Sequence, residues 1–373
     1  MPDTKQREAL IYITLLCLLT VSLVAIYTAT RDYTSQKYVV KQLIWALMGG
    51  GLLLFLRSCD YHRLSQYSLW LYVLGIAFLL SVFFLGKKVN GALSWIDLGF
   101  VSVQPSELAR ITTLFLLARL YEQQQGVFDR SWPLLQVLLV LLIPMAALML
   151  QPDLGMALVY LSMLGCFFVL TKLSRWIHAG ALLCGMLLAI GLYSLHSISP
   201  QIFYEVVRPH QFERLTSFLH PEADPLGSGY QYIKARKVVG SGQLSGTNLF
   251  RLLPMAGGRL PEQHTDFIFA VIAQQWGFIG ASVLLLLYLL LFYWLVQWAM
   301  TTPDPFAAFF ISGMVTMWAF QIFVNIGMNI GLSPITGLPL PFVSYGGSSL
   351  VTNMLALGLI VSMKEPKPHW SLE

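Results

Sequence analysis

The sequence predicts an all-α polytopic membrane protein with about ten transmembrane helices. Of its 373 residues, 56% are hydrophobic and only 11% are charged, whereas soluble domains carry about 25% charged residues. Windows of about 20 apolar residues with few charges recur along the chain. These windows lack the alternation of a membrane β-barrel, and an open sheet would leave backbone groups unsatisfied in lipid. We therefore expect helices rather than strands.

The predicted helices enclose one core, because no internal repeat and no Ser- or Gly-rich linker divides residues 1–373. Lys5 and Arg7 precede the first apolar run, but no small-residue cleavage site follows it, so the first helix is expected to be an uncleaved membrane anchor. The predicted spans are residues 9–28, 38–56, 68–86, 105–121, 133–150, 154–171, 177–196, 267–297, 306–328 and 347–363.

The orientation follows from the Lys and Arg residues of the short loops, which concentrate on the cytoplasmic side of membrane proteins. The pairs Arg57 and Arg63, Arg119 and Arg130, Lys172 and Arg175, and Lys364 and Lys367 all fall on the side that both termini share. We therefore expect both termini to be cytoplasmic. The opposite face then carries the loops at 87–104, 151–153 and 329–346 and the segment 197–266.

The segment 197–266, between predicted helices 7 and 8, is too long for a simple connection, which indicates a function. Before Asp266 it carries seven Lys and Arg residues against five Asp and Glu residues. Long loops are largely exempt from the charge rule of short ones, so this excess does not contradict the orientation. Its partner is either the headgroups of membrane lipids or a ligand that bears a diphosphate.

Ionisable residues inside membrane spans usually face an interior or a water-filled cavity. Glu107 and Arg110 are three residues apart, so they share one helix face and can pair. The pair either allows the helix to insert or forms the polar wall of a cavity. Lys41, one turn inside the second span, either reaches the lipid headgroups or contributes a cation to such a cavity.

Three features of the predicted loops also have two interpretations each. Asp153 suits the N-terminus of the sixth helix on dipole grounds alone, and Trp95 is either an interfacial anchor or a stacking platform for a sugar. The stretch SYGGSS, residues 344–349, exposes backbone amides that can receive an anion. Close packing of small residues explains the same stretch.

Asp266 stands at the mouth of the apolar run FIFAVIA, beside His264 and Thr265 and at the end of the basic segment. It is either the N-terminal cap of the eighth helix or a general base that faces a cleft, with a pKa that burial and nearby cations can tune.

No cofactor is evident in the sequence. The seven histidines show no HExxH spacing, and the chain has neither a GxxxxGK[ST] loop nor a GxGxxG motif after a strand. We therefore predict no dedicated metal site and no nucleic-acid partner. A divalent cation that assists a diphosphate remains compatible with the sequence.

Taken together, the motifs resemble the SEDS family (shape, elongation, division and sporulation), the polytopic peptidoglycan glycosyltransferases. The matching stretches run in the family's order from about residue 90 to 350. Within the family, DPLGSGYQ and PITGLPLPFVSYGG are similar to the RodA-like elongation branch rather than to the FtsW-like division branch, which reads closer to PTKGLTLPLISYGG. The stretches are NGALSWIDLGFVSVQPSELARI, QPDLG, RLTSFLHPEADPLGSGYQ, LPEQHTDFIFAVIA and NIGMNIGLSPITGLPLPFVSYGGSS.

The resemblance implies polymerisation of lipid II, an undecaprenyl diphosphate-linked disaccharide pentapeptide, outside the cytoplasmic (inner) membrane. It also implies a class B penicillin-binding protein as partner. By motif position, Asp266 is the family's essential acid. The expected substrate-binding residues are Lys41, Trp95, Glu107, Arg110, Asp153, Arg214, Gln231, Ser344, Tyr345, Gly346, Gly347 and Ser348.

The sequence also departs from the family pattern. Lys234 and Ala235 stand where the family often has Gln and Ser, and GQLSGTN, residues 242–248, stands where the family has GGLxGKG. Gln274 and Gln275 replace an acidic pair. These changes leave Asp266 in place and concern the contacts of the acceptor sugar.

In the expected reaction, a sugar hydroxyl of one lipid-linked disaccharide attacks the anomeric carbon of another and expels undecaprenyl diphosphate. Asp266 would remove the hydroxyl proton, and Lys41, Arg110 and cations of the long segment would stabilise the leaving group. Two other classes of function stay open. A lipid II flippase needs a similar cavity, and a scaffold for the crosslinking enzyme would need neither Asp266 nor Glu107.

Overall fold

The computed structural model describes residues 4–30, 35–89, 92–97, 99, 102–128, 131–206, 209–223, 227–247 and 260–363. These residues form fourteen α-helices and three short strands. The helices are α1 (Thr4–Ala29), α2 (Ser35–Arg57), α3 (Tyr61–Gln66), α4 (Ser68–Leu85), α5 (Pro105–Gln123), α6 (Ser131–Leu150), α7 (Leu154–Leu170), α8 (Arg175–Ile198), α9 (Pro200–Val206), α10 (Pro209–Leu219), α11 (Ser228–Ser241), α12 (Ile268–Thr301), α13 (Pro305–Ile330) and α14 (Gly347–Ser362).

Each of the ten predicted spans falls on one helix and extends beyond it by at most one residue, which confirms the all-α polytopic prediction. Within the described residues, six helices are long and apolar enough to cross a membrane: α1, α2, α4, α6, α12 and α13. The apolar helices α7 and α14 are shorter. The four short helices α3, α9, α10 and α11 lie outside the predicted spans.

Helix α13 forms the centre of the bundle, where it packs against α5, α7 and α12. Its Trp318 and Phe310 side chains are fully buried. Lipid tails are as apolar as leucine, so such contacts depend on close packing rather than on the hydrophobic effect. At Gly75, a Cβ atom would lie 2.2 Å from Oγ1 of Thr112, so only glycine allows α4 to approach α5 this closely.

The loop between α4 and α5 forms a small antiparallel sheet from β1 (Gly86–Val89), β2 (Ala92–Asp97) and β3 (Ser102–Val103). Lys87 pairs with Trp95 across the first two strands, and the Lys87 ammonium lies 2.7 Å from the Asp97 carboxylate. The expectation of helices rather than strands concerned the apolar runs, and it is confirmed there. This loop lies outside those runs, so the rule that lipid tolerates no open sheet does not apply to it.

The bundle carries its longest connections on one face, which we call the loop face. It holds the sheet, the turn at 151–153, the described parts of the segment from α9 to Phe267, and residues 331–346. In the part of the chain that the structure describes, the segment folds into α9, α10, a 3₁₀ turn at Pro221–Ala223, and α11. Helix α11 packs against α12 and α13, which brings the segment against the bundle.

Candidate active site

A cavity of about 220 Å³ opens on the loop face. Its walls come from β2, the start of α7, α10, the turn before α12, the loop before α14 and α14 itself. Segments that are far apart in the sequence therefore converge on one space. The lining residues are Ser94, Trp95, Gln104, Pro152, Asp153, Leu154, Arg214, Glu262, Thr265, Asp266, Thr336, Gly337, Pro339, Tyr345, Gly346 and Ser349.

Asp266 lies half-buried in the wall of this cavity. It does not cap the helix that follows, because α12 begins at Ile268 and Phe267 occupies the cap position. Gly337 lies opposite, with a φ of 75°, and a Cβ atom there would be 3.5 Å from Oδ2 of Asp266. A side chain would fit at this distance, so the left-handed backbone conformation is what favours glycine here.

The surroundings of Asp266 raise its pKa to about 6. Burial is the largest cause, since it disfavours the charged carboxylate, and the negative charge of Glu262 adds to it. Arg214 and a hydrogen bond from Thr265 oppose the rise. A carboxylate with this pKa is mostly deprotonated at neutral pH and is a stronger base than an ordinary aspartate, as a general base requires.

The backbone at Asp266 is clamped by Asn325, a fully buried residue of α13. The Nδ2 group of Asn325 donates to the carbonyl oxygen of Asp266 at 2.9 Å and to that of Leu338 at 2.7 Å. On the other side, Ser344 Oγ donates to the Thr265 carbonyl at 2.6 Å and accepts from Leu340 N–H at 2.8 Å. These hydrogen bonds join the turn that carries Asp266 to the loop at residues 338–344 that faces it.

If the chain catalyses the polymerisation that its family resemblance implies, replacing Asn325 by leucine is expected to lower that rate by up to about 10²-fold, because displacing a reacting group by about 1 Å can cost that much. The loosened turn would admit water, the pKa of Asp266 would fall, and the acidic limb of the rate profile would move to lower pH. The measurement is the pH dependence of polymerisation. Thr316→Val is the control, since Thr316 lies on the same helix but does not line the cavity, and its hydroxyl donates to the Ser312 carbonyl at 2.8 Å. An unchanged profile in Asn325→Leu would contradict a positioning role.

Arg214, Asp153 and Trp95 all line the cavity. Arg214 Nη1 donates to the Thr336 carbonyl at 3.2 Å, which fixes the guanidinium at the rim. Asp153 also caps α7, where it accepts from Met156 N–H at 3.1 Å, and burial raises its pKa. The capping interpretation of Asp153 is therefore confirmed, although its carboxylate also faces the cavity.

The stretch SYGGSS divides between the cavity and its supports. Tyr345 and Gly346 line the cavity, and Tyr345 N–H donates to the His264 carbonyl at 3.0 Å. Ser344 holds the turn of Asp266, whereas Ser348 Oγ accepts from Gln104 N–H at 3.1 Å. At Gly347, a Cβ atom would lie 2.5 Å from Trp45, so this glycine serves helix packing.

Glu107 and Arg110 do not reach the cavity, so the interpretation as its polar wall is corrected. Both side chains are fully buried and form the ion pair that their spacing predicts. Arg110 also donates to Gln321 Oε1 at 2.7 Å and to Asn353 Oδ1 at 2.8 Å. The pair therefore belongs to a polar network that links α5, α13 and α14. Arg110 has no free face for a diphosphate.

Lys41 and Gln231 also lie outside the cavity lining. Lys41 is exposed on α2, whereas its neighbour Gln42 is buried. The Nε2 group of Gln42 donates to Ser22 Oγ at 3.2 Å and to the Ser344 carbonyl at 3.3 Å, and Ser22 Oγ donates to the Val343 carbonyl at 2.7 Å. Helices α1 and α2 are thus tied to the loop that faces Asp266. Gln231 lies half-buried on α11.

Sequence reasoning missed Asn325, Glu262 and Gly337. It weighed only ionisable residues inside the spans, although a neutral amide in an apolar helix is also costly there and equally informative. The signal was present in NIGMNIG, where Asn325 and Asn329 recur one turn apart. Within the described residues, no three His, Cys, Asp or Glu side chains are close enough together to hold a metal ion.

Comparison with known proteins places the chain in one family. The family model FtsW/RodA/SpoVE, described as cell cycle protein, matches residues 7–368. Stage V sporulation protein E of Bacillus subtilis is 34% identical over 95% of this chain and 96% of its own length. Peptidoglycan glycosyltransferase RodA of Treponema pallidum is 31% identical over 95% and 97%.

Solved structures agree with this assignment. A chain described under "Structural coordination of polymerization and crosslinking by a peptidoglycan synthase complex" has a TM-score of 0.75 and 31% identity over 94% of this chain and 95% of its own. The crystal structure of the rod shape determining protein RodA of Thermus thermophilus has a TM-score of 0.68 and 28% identity over 94% of both chains. The chain is a multi-pass membrane protein, and it belongs to the FtsW/RodA/SpoVE family.

Proposed function

We propose that this chain is a peptidoglycan glycosyltransferase that polymerises lipid II, with Asp266 as the general base. The observation that carries the proposal is the half-buried Asp266 carboxylate, with a pKa of about 6, in a cavity that it shares with Arg214. The names of relatives support the reaction class: both RodA of Treponema pallidum and MrdB of Escherichia coli, which is 31% identical over 97% of this chain, are called peptidoglycan glycosyltransferases.

In the proposed step, the hydroxyl oxygen of an acceptor sugar forms a bond to the anomeric carbon of the donor. The bond from that carbon to the diphosphate oxygen breaks, and Asp266 takes the hydroxyl proton. Arg214 balances the negative charge that develops on the departing diphosphate. The sequence suggested Arg110 for this cationic role. Because Arg110 is buried in its ion pair with Glu107, we assign the role to Arg214, which lines the cavity. Trp95 and Tyr345 offer rings against which a sugar can pack.

The loop face is proposed to be extracytoplasmic and both termini cytoplasmic, as the Lys and Arg residues of the short loops predict. We further propose a single domain over residues 1–373, in which the exposed Lys41 contacts lipid headgroups. A class B penicillin-binding protein is the proposed partner, supported by similarity to a chain of a complex that polymerises and crosslinks. The elongation branch is proposed from DPLGSGYQ and PITGLPLPFVSYGG.

Incubating detergent-solubilised protein with purified lipid II tests the function. Detergent micelles have no two sides, so glycan chains formed there identify an enzyme, whereas a flippase would only move lipid II across intact vesicles. We expect glycan chains in detergent. Transport across vesicles without any polymer would contradict the proposal. Comparing glycan formation with and without an added class B penicillin-binding protein shows whether the partner is required.

The Glu262→Gln variant is expected to move the acidic limb of the rate profile to lower pH. The negative charge of Glu262 favours the protonated form of Asp266, so its removal lowers the pKa of Asp266 and keeps the base deprotonated in more acidic solution. The measurement is the polymerisation rate over a pH range that spans this pKa. Glu222→Gln is the control, because Glu222 is exposed on the 3₁₀ turn and does not line the cavity. A shift to higher pH would contradict the assignment of Asp266 as base.

A further inference from the structure

Helix α12 is broken at Gly277, which has φ 65° and ψ −162°. The break divides it into half-helices at 268–276 and 278–301. A Cβ atom on Gly277 would lie 2.3 Å from Gly246 N and 2.5 Å from the Leu244 carbonyl oxygen. Glycine is therefore required both for the backbone conformation and for the approach of the segment 242–247.

The segment 242–247 caps both half-helices. The carbonyl oxygens of Gln243 and Leu244 accept from Phe278 N–H at 2.8 Å and Ile279 N–H at 3.1 Å. In the other direction, Thr247 N–H donates to the Gln274 carbonyl at 3.0 Å. The backbone N–H and C=O groups that the break frees thus find partners within the protein, as buried backbone groups require. The break is therefore stabilised by specific hydrogen bonds from the segment 242–247.

A notch of about 650 Å³ opens at this break. Its most informative residue is Gln275, which is only 2% exposed and whose amide oxygen and nitrogen both lack a hydrogen-bond partner among the residues that the structure describes. The same holds for the buried Nε1 of Trp276. Unpaired polar atoms of this kind cost stability unless a ligand satisfies them. The notch is lined by Ser245, Gly246, Thr247, Gln275, Trp276, Ile279, Gly280 and Val283.

The position of the notch indicates a lipid environment. The half-helix 278–301 is about 36 Å long at about 1.5 Å per residue, enough to cross the roughly 30 Å hydrocarbon core. The break therefore lies at the membrane surface on the loop face. Phe278 and Ile279 beside it are 68% and 54% exposed, as apolar side chains that face lipid are. The N-terminus of this half-helix also favours negative charge at the notch.

Two departures from the family pattern meet here. Thr247 stands where the pattern GGLxGKG has lysine, and Gln275 stands at the second position of the acidic pair. Both line the notch. The unpaired amide of Gln275 and indole N–H of Trp276 suit a ligand that offers hydrogen-bond acceptors and a donor.

We propose that this notch binds the headgroup of a glycerophospholipid that carries a hydroxyl or ammonium donor. Gln275 Nε2 and Trp276 Nε1 donate to phosphate or ester oxygens, and Gln275 Oε1 accepts from the headgroup donor. The acyl chains then lie along Ile279 and Val283. A polyprenyl diphosphate offers the acceptors but no such donor, which favours the phospholipid.

The test uses the whole protein in nanodiscs of phosphatidylcholine, whose headgroup has no hydrogen-bond donor. A trace of photoactivatable phosphatidylglycerol, with the reactive group beside the headgroup, is crosslinked and the labelled peptides are mapped. We expect saturable labelling of residues 275–283 that unlabelled phosphatidylglycerol competes and additional phosphatidylcholine does not. Gln275→Leu and Ile279→Trp should each reduce the labelling at least about five-fold, since they remove the amide or fill the notch.

Leu286→Trp is the matched control, because Leu286 lies two turns from Ile279 on the same helix face and is 53% exposed against 54%. It does not line the notch, so labelling should be unchanged. Labelling that does not saturate, or that Ile279→Trp leaves intact, would overturn the proposal. Competition by undecaprenyl diphosphate but not by phosphatidylglycerol would overturn it as well and assign the notch to that lipid. Ile279→Trp alters no buried polar group, which keeps the test valid should Gln275→Leu fold poorly.

Discussion

Replacing Asp266 by asparagine is expected to reduce polymerisation of lipid II by at least about 10² to 10⁴-fold, the usual contribution of a general base. Asparagine has nearly the same shape, but its amide cannot take the hydroxyl proton at neutral pH. Asn325 donates its hydrogen bond to the backbone carbonyl oxygen of Asp266 rather than to its side chain. The substitution therefore leaves this hydrogen bond intact. The variant should remain folded and inactive.

The measurement is glycan formation from purified lipid II in detergent, with the size-exclusion profile as evidence of folding. Asp60→Asn is the matched control. Asp60 caps α3 by accepting from His62 N–H at 3.0 Å, a role that asparagine fills equally well. Polymerisation by Asp266→Asn at the rate of the unmodified protein would remove the assignment of the base and leave the cavity with another role.

Removing Arg110 is expected to have the largest effect on stability. Arg110→Met leaves the Glu107 carboxylate buried without its cation and leaves Gln321 Oε1 without its donor, whereas Asn353 Oδ1 keeps the bond from Trp318 Nε1 at 2.8 Å. Breaking a buried ion pair from one side typically costs about 3 to 5 kcal/mol. Unfolding in mixed detergent micelles would measure the change. The double variant Glu107→Leu with Arg110→Met should recover part of the loss, because no unpaired charge remains.

Helix α5 supplies its own control for this prediction. Arg119 and Glu122 form a second ion pair at the same spacing, with an Nη1 to Oε2 distance of 2.7 Å, and their side chains are 30% and 26% exposed. Water screens such a pair, so Arg119→Met should cost no more than about 1 kcal/mol. Equal losses from Arg110→Met and Arg119→Met would show that the buried network does not stabilise the fold.

The sequence was sufficient to predict the helices but not the break within α12 or the sheet between α4 and α5. Apolar runs of membrane length identify helices because lipid allows few alternatives. The same rule hides the break at Gly277, since residues 267–297 contain no charged residue and the break depends on the distant segment 242–247. The sheet at 86–103 was missed because that rule does not apply outside lipid.

The site was partly predictable. Trp95, Asp153, Arg214, Asp266 and Tyr345 line one cavity, as expected of residues that share motifs of one loop face. Which charged residue pairs with which, however, depends on helix rotation, and a sequence does not specify rotation. For that reason the spacing of the two charges on α5 predicted their contact but not their separation from the cavity.

The ties from Ser22 and Gln42 to residues 343–344 have a mechanical consequence. Helices adjust their tilt when the thickness of the surrounding bilayer changes. Because α1 and α2 are hydrogen-bonded directly to the loop that faces Asp266, a change in their tilt should move that loop relative to the carboxylate. The rate at which this protein polymerises lipid II should therefore vary with the acyl-chain length of the host membrane, even when no residue of the cavity is altered.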